Sequence, residues 1–199
     1  PVPTANGYQS PGMADYDPVW ARLEEADVPV AFHAGLSGTS QYGKVWESGP
    51  AQFEAFRHSS FPLVAFADRT ISDTFAALIC HGVFCHFPGL RILSIENGGM
   101  WVPELLRHMG SAHAKMPFAF ERHPVEQFLA NVWVSPYFED DMVMLRDLLG
   151  IERLLFGSDF PHAEGLADPL AYVDELEGFN DDEIRKVMRD NADGLIGAG

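Results

Sequence analysis

The chain has 199 residues, of which 47% are hydrophobic and 12% aromatic, so it can bury a substantial core and is not a disordered chain. Its formal net charge of −16 disfavours a nucleic-acid backbone and an anionic membrane surface as partners. No apolar run approaches the roughly 18 residues that a membrane-spanning helix needs. The two cysteines, Cys80 and Cys85, make no disulfide framework, so we expect a cytoplasmic protein whose residues 1–199 form a single domain.

Four short apolar runs predict buried strands. Each run is continuously apolar rather than alternating, which is typical of strands that are covered on both faces. In chain order the runs are Val28–Gly35, Leu90–Gly99, Asn131–Pro136 and Arg153–Asp159.

Helical patterns lie between and after these runs. Asp17 is the expected N-cap of the first helix, Gly150 the expected end of the fourth, and Asn180 with Glu183 resembles a capping box. The predicted helices are Pro18–Ala26, Ile71–Phe84, Trp101–Met109, Asp140–Leu149, Pro169–Leu176 and Asp181–Met188. The alternation predicts an α/β fold of βα units around a parallel sheet, with a long Gly/Ser-rich insertion at Leu36–Pro50 after the first strand.

Polar residues stand where the predicted strands end. These residues are His33, Glu96, Ser135 and Asp159, and all except Ser135 can ligate a metal or move a proton. A carboxylate at the end of an apolar strand, such as Asp159 in LLFGSDFPH, needs a cation or strong hydrogen-bond donors. Taken singly, His33 could be a polar core residue, Glu96 could make an internal hydrogen bond and Asp159 could cap the next segment. Their coincidence at matching strand ends favours a functional site.

Other residues carry weaker signals. In CHGVFCH (Cys80–His86), helical geometry presents no single face with all four Cys and His side chains, so buried thiols and a packed histidine are expected rather than a metal site. His162 could contact substrate or anchor its own loop. Trp101 and Phe160 could form an apolar pocket wall or simply pack in the core. The acidic run Glu139–Asp141 is typical of a helix N-terminus.

Together these stretches resemble one known family. The resemblance is to the amidohydrolase-related family, the branch of the amidohydrolase superfamily that includes aminocarboxymuconate-semialdehyde decarboxylase and the resorcylate-type decarboxylases. It runs from about Gly7 to the C-terminus. The stretches that carry it, in order, are PVAFHAG, FPGLRILSIENGGMWVPELL, NVWVSPYFEDD, LLFGSDFPHAEG and MRDNADGLIG.

The resemblance implies a (β/α)₈ TIM barrel of roughly twice this length, with this chain as its C-terminal half, strands five to eight. It implies that His33 is the strand-five metal ligand and that Asp159 is both the strand-eight ligand and the proton-transfer group. The family's strand-one ligand pair has no counterpart here. Glu96 stands where strand six of the family usually has a histidine, so the usual acid/base assignment does not transfer. We expect Glu96 to face the site as a catalytic residue.

The function that this resemblance implies is that of a metal-dependent enzyme. It would hydrolyse or decarboxylate a small organic acid, aromatic acids included, or an amide or lactone. The implied cofactor is a divalent metal, with zinc the first expectation and manganese the alternative. A non-catalytic α/β domain that binds a ligand or only stabilises the fold is the competing hypothesis. A half-barrel leaves unpaired strand edges, so we expect it either to pair with the missing N-terminal half or to self-associate as a homo-oligomer.

Overall fold

The computed structural model describes residues 2–4, 7–35, 46, 61–66, 68–163 and 165–197. A parallel sheet of three strands in the order β3-β4-β5 lies at the centre of these residues, beside a separate antiparallel hairpin of β1 and β2. The strands are β1 (Val2–Thr4), β2 (Gly7–Gln9), β3 (Val30–His33), β4 (Ile92–Ile95) and β5 (Val132–Val134). The first three predicted strands are therefore confirmed, each shorter than its apolar run. The predicted insertion at 36–50 lies outside the described residues except for position 46.

The α-helices alternate with the strands of the parallel sheet, as the sequence predicts. In chain order they are α1 (Asp17–Glu25), α2 (Phe61–Phe66), α3 (Arg69–Cys80), α4 (Val83–His86), α5 (Val102–Lys115), α6 (Pro124–Asn131), α7 (Met142–Leu149), α8 (Asp181–Arg185) and α9 (Asn191–Ile196). Segment Pro169–Glu175 is a 3₁₀-helix, and a π-helical turn at Lys186–Asp190 joins α8 to α9. Among the described residues, no helix is both long enough and apolar enough to cross a membrane.

Local signals explain most helix ends. The capping box of Asn180 and Glu183 is present, and Gly150 ends α7 with a left-handed φ of 87°. Asp17 is the first residue of α1 rather than its cap, which is Tyr16. The predicted helix Ile71–Phe84 is interrupted before α4, because Gly82 adopts a left-handed φ of 77°.

The fourth predicted strand is much reduced. Within Arg153–Asp159 the structure shows only a parallel bridge between Leu154 and Val134. The N–H of Leu155 donates to Val134 O at 2.9 Å, but the N–H of Phe156 donates to Val187 O at 3.0 Å. Successive N–H groups of an extended chain point to opposite sides, so this segment bonds β5 on one side and the C-terminal helical region on the other, and its pairing with β5 extends no further than this bridge.

The two faces of the parallel sheet differ. Ile92, Ser94, Val132 and Val134 are fully buried on one face, against a core whose aromatic centre is Phe75, Trp101 and Phe128. The opposite face, which we call the open face, is exposed or half-exposed; its residues are Ala31, His33, Leu93, Ile95 and Trp133. The sequence predicted strands that are covered on both faces. In the described residues only one face of the parallel sheet is covered, so this prediction is corrected.

Candidate active site at the strand ends

The candidate site lies at the carboxyl edge of the parallel sheet. His33 is the last residue of β3 and Glu96 directly follows β4. Asp159 comes five residues after Leu154, which pairs in parallel with β5. Because parallel strands end at the same edge of a sheet, these three side chains are brought to one region.

Glu96 is the centre of the contacts at this edge. One of its carboxylate oxygens, Oε2, lies 2.7 Å from His33 Nε2, and the other, Oε1, lies 3.2 Å from His162 Nδ1. The same His162 nitrogen is 3.0 Å from Asp159 Oδ1. His33 and Asp159 are thus linked through Glu96 and His162, and their joint coordination of one ion stays a prediction.

Glu96, Asp159 and His162 form a group that a metal ion fits. One ligand atom from each lies within 4.8 Å of the other two. His162 Nδ1 lies 3.2 Å from Glu96 Oε1 and 3.0 Å from Asp159 Oδ1, which is within the spacing of at most about 4.4 Å that two ligands about 2.0–2.2 Å from one ion can have. Each carboxylate side chain is only 17% exposed, and both face one His162 nitrogen, which carries at most one proton. Two carboxylates this close repel each other, and a cation between them relieves that repulsion.

His33 is oriented as metal-binding histidines usually are. Its Nδ1 lies 2.8 Å from the carbonyl oxygen of Ala34, which can only accept, so Nδ1 is the donor. Its other nitrogen, Nε2, lies 2.7 Å from Glu96 Oε2, a contact that needs a proton between the two atoms, and a bound ion would take the place of that proton. His33 can therefore add a nitrogen ligand beside the group of three.

The backbone at this site is strained. Glu96 and Asp159 have φ angles of 56° and 54°. They are two of only three non-glycine residues with positive φ in the described ranges, and the third is Asp27. Such conformations cost of order 1–3 kcal/mol each and concentrate at functional sites. Composition and periodicity gave no signal of this strain.

Two residues that the sequence analysis did not assign to the site, Tyr137 and Asp140, support the turn after β4. The hydroxyl of Tyr137 donates to the carbonyl oxygen of Glu96 at 2.9 Å. Asp140 Oδ2 accepts from the backbone N–H of Gly99 at 2.6 Å and from that of Tyr137 at 2.9 Å. Asp140 thus belongs to the loop after β5 and not to α7, which Asp141 caps by accepting from Met144 N at 2.9 Å.

Burial raises the pKa of both supporting residues, Tyr137 and Asp140. Burial, followed by the negative charges of Glu96 and Asp159, raises the pKa of Tyr137 to about 12. The phenol therefore stays protonated at neutral pH and can donate. Burial also raises the pKa of the Asp140 carboxyl above its ordinary value.

Of the remaining residues that were predicted for the site, the structure brings some to it and leaves others in the core or at the surface. His162 joins the site through its contacts with both carboxylates. Trp101 is only 3% exposed, stacks on Phe75 at 5.3 Å and donates its indole N–H to Gly98 O at 2.9 Å, which favours the core-packing alternative. Phe160 is 59% exposed beside Asp159, and its role as a pocket wall stays a prediction. In the part of the chain that the structure describes, Cys80–His86 forms no metal-binding group of three. The expectation of buried thiols there is wrong, because Cys80 is exposed and Cys85 is only half-buried.

Comparison with known proteins places this geometry in a family. A family model described as Amidohydrolase matches residues 2–197. The chain belongs to the amidohydrolase family. An amidohydrolase from Mycobacterium avium subsp. paratuberculosis K-10 has a similar structure, with a TM-score of 0.89 and 45% identity over 99% of this chain and 49% of that one.

Two further proteins that the chain resembles are decarboxylases by name. A gamma-resorcylate decarboxylase from Rhodococcus jostii (strain RHA1) is 30% identical over 168 residues, which cover 79% of this chain and 48% of the relative. A dihydroxybenzoic acid decarboxylase from Polaromonas sp. JS666 has a structure that holds manganese and the inhibitor 2-nitroresorcinol. Its TM-score is 0.67, with 22% identity over 94% of this chain and 55% of that one, which is a likeness of fold alone. The chain spans about half the length of its amidohydrolase and gamma-resorcylate decarboxylase relatives.

Proposed function

We propose that this chain supplies strands five to eight of a TIM barrel in a metal-dependent decarboxylase that acts on a hydroxylated aromatic acid. The observation that carries the proposal is the convergence of Glu96, Asp159 and His162 at the carboxyl edge of a parallel sheet. The similarity to a gamma-resorcylate decarboxylase supports the substrate class. A purely structural domain would have no need of two strained, mostly buried carboxylates beside two imidazoles.

The proposed cofactor is a divalent metal held by Glu96, Asp159 and His162, with His33 beside them. A mixed set of imidazole nitrogens and carboxylate oxygens suits zinc and manganese alike. The manganese in the Polaromonas decarboxylase favours manganese as the first metal to test here. When bound, the ion would supply the positive charge that attracts and orients the carboxylate of the substrate.

Asp159 is the proposed proton donor. Loss of CO₂ breaks the bond between the ring carbon and the carboxylate, and a proton must take the vacated position on that carbon. Asp159 in its acid form would deliver this proton and become a carboxylate. A proton from solvent would then return Asp159 to its acid form and complete the cycle.

Hydrolysis of an amide or lactone is the second candidate. It is favoured by the amidohydrolase from Mycobacterium avium subsp. paratuberculosis K-10, which is 45% identical and covers 99% of this chain. Asp159 would then take a proton from the attacking water and pass it to the leaving group. The same side chains serve both reactions, so the products distinguish them.

The proposed partner in both reactions is the first half of the barrel. The open face presents apolar side chains, among them Leu93, Ile95 and Trp133, which the described residues leave half-exposed. In a closed barrel such inward-facing side chains are covered by the other strands. The missing strands would also supply the strand-one ligands that the family resemblance implies.

The test compares two aspartate variants of the complete protein, reconstituted with Mn²⁺ and given gamma-resorcylate. We expect Asp159→Asn to lower CO₂ release by about 10²-fold or more, because the proton donor is lost. Asp147→Asn is the control, since Asp147 is 65% exposed and pairs with Arg146 on α7. Equal CO₂ release and equal manganese content in both variants would contradict the proposal. Turnover of amides or lactones without CO₂ release would favour the second candidate.

A further inference from the structure

The turn that carries Glu96 is held from the neighbouring strand end. The Glu96 carbonyl oxygen accepts the Tyr137 hydroxyl at 2.9 Å, although the two residues are 41 positions apart. On the other side of the turn, Asn97 Nδ2 donates to Ile95 O at 2.6 Å and to Phe32 O at 3.1 Å. The left-handed conformation of Glu96 is thus fixed by hydrogen bonds on both sides.

The ring of Tyr137 also packs against this turn. Gly98 has a φ of +61°, and a Cβ built there would lie 2.7 Å from Tyr137 Cδ2. The ring therefore lies directly over the glycine, and no larger residue fits beneath it. Asp140 Oδ2 then ties the N–H of Tyr137 to the N–H of Gly99. Three separate links join the loop after β4 to the loop after β5.

We propose that Tyr137 is a positioning residue that sets the direction of the Glu96 side chain toward His33 and His162. The inference rests on the proposed function for the role of Glu96 as a metal ligand. The geometry itself does not depend on that role. The Tyr137 hydroxyl bonds the backbone of Glu96, so it acts through Glu96 and need not touch substrate.

A second tyrosine, Tyr172, provides a comparison for Tyr137. Tyr137 is 39% exposed, whereas Tyr172, the tyrosine of the core, is fully buried. The Tyr172 hydroxyl also donates to a backbone carbonyl, that of Pro136, at 3.2 Å. The two tyrosines make the same kind of bond, but only Tyr137 bonds a residue of the site. This difference provides a matched control.

The first experiment measures Mn²⁺ binding to wild type, Tyr137→Phe and Tyr172→Phe in the complete protein, by electron paramagnetic resonance of free Mn²⁺. The phenylalanine at 137 keeps the ring over Gly98 and removes only the hydroxyl. We expect Tyr137→Phe to raise the Mn²⁺ dissociation constant about five- to tenfold, the change that follows from the loss of one hydrogen bond. Tyr172→Phe should lower the melting temperature and leave Mn²⁺ affinity within twofold of wild type. A Tyr137→Phe affinity within twofold of wild type would overturn the proposal.

The second experiment follows hydrogen exchange in the same three proteins without metal. Deuterium uptake of the segment 95–100 should rise in Tyr137→Phe and stay unchanged in Tyr172→Phe, because only the first variant frees the Glu96 turn. Unchanged uptake in Tyr137→Phe, or an equal rise in both variants, would overturn the positioning role. If wild type binds no Mn²⁺ while uptake rises only in Tyr137→Phe, the positioning role holds and the proposed metal-dependent function fails.

Discussion

One oxygen atom of Asp140 joins the loop after β4 to the loop after β5. Its Oδ2 accepts both backbone N–H groups, from Gly99 and from Tyr137, while the whole side chain is only partly exposed. Burial raises its pKa and these two hydrogen bonds lower it, and burial is the larger effect. The Asp140 carboxyl group therefore accepts two hydrogen bonds, but burial makes its negative charge unfavourable.

This arrangement separates the effect of the hydrogen bonds from that of the charge. Asp140→Asn keeps an oxygen that can accept both N–H groups, whereas Asp140→Ala leaves both without their acceptor. We expect Asp140→Ala to lower the free energy of unfolding by about 1–3 kcal/mol and Asp140→Asn to lower it by clearly less. Urea denaturation at pH 7 measures both values. Equal losses in the two variants would show that the shared oxygen is unimportant.

The same residue predicts a pH dependence. Because the folded-state pKa of Asp140 is raised, the native state binds its proton more tightly than the unfolded state. This contribution to stability is fully present below the ordinary aspartate pKa of about 3.9 and is lost as pH rises through the folded-state pKa. We therefore expect wild type to lose stability relative to Asp140→Asn across that interval, as measured by urea denaturation at several pH values. A difference that stays constant with pH would contradict the prediction.

The sequence predicted the acidic and imidazole residues of the site, but it did not predict the residues that hold them in place. His33, Glu96 and Asp159 could be singled out because polar residues at the ends of apolar runs are unusual and parallel strands end together. Tyr137 and Asp140 could not, because their role depends on contacts with residues about 40 positions away. The left-handed backbone of Glu96 was equally hidden, since glutamate carries no local preference for it.

At the scale of elements, the side chain of Asn191 makes two hydrogen bonds that join the edge of the sheet to the C-terminal helices. Asn191 Nδ2 donates to Ile151 O and to Leu154 O, both at 2.8 Å. These carbonyls flank the start of the segment that pairs with β5. The side-chain amide of Asn191 therefore supplies hydrogen bonds to Ile151 O and Leu154 O, for which a neighbouring strand is absent among the described residues.

Removal of this amide should destabilise the fold. Asn191→Ala leaves two partly buried carbonyl groups without their donor, so we expect the free energy of unfolding to fall by about 1–3 kcal/mol. Arg189→Ala is the control, because Arg189 is 75% exposed and its ion pair with Asp193 lies at the surface. We expect that variant to stay within about 0.5 kcal/mol of wild type. Equal stability of both variants in urea denaturation would refute the role of Asn191.

The elements show why the fourth strand was overestimated. Periodicity identified the apolar run at Arg153–Asp159 as readily as the runs that became β3, β4 and β5. A strand also needs a neighbouring strand that continues its ladder, and that neighbour is not encoded in its own residues. In the described residues the segment pairs with β5 only at Leu154, and on its other side the N–H of Phe156 bonds Val187 O of the C-terminal helical region. The run is thus recognisable from sequence while its pairing is not.

At the scale of the whole molecule, two properties act against each other. The open face leaves apolar side chains of a sheet partly exposed, which favours association with another chain or segment. The formal net charge of −16 makes copies of the chain repel one another. Salt screens this repulsion over distances beyond about 10 Å at 0.1 M ionic strength and leaves the apolar attraction in place. Association of the chain with itself should therefore become stronger as the salt concentration rises.

We predict that the 199-residue chain, produced without a partner, forms a dimer or larger assembly through the open face. Leu93→Lys introduces a charge at the centre of that face, in β4, and should shift the chain toward a monomer of 22.0 kDa. Leu170→Lys is the matched control, because Leu170 is 72% exposed outside the sheet, and it should leave the assembly unchanged. Size-exclusion chromatography with light scattering, at low and high salt, measures all three masses. A wild-type chain that remains a stable monomer at high salt would mean that the open face needs no cover, and the half-barrel interpretation would lose its main physical support.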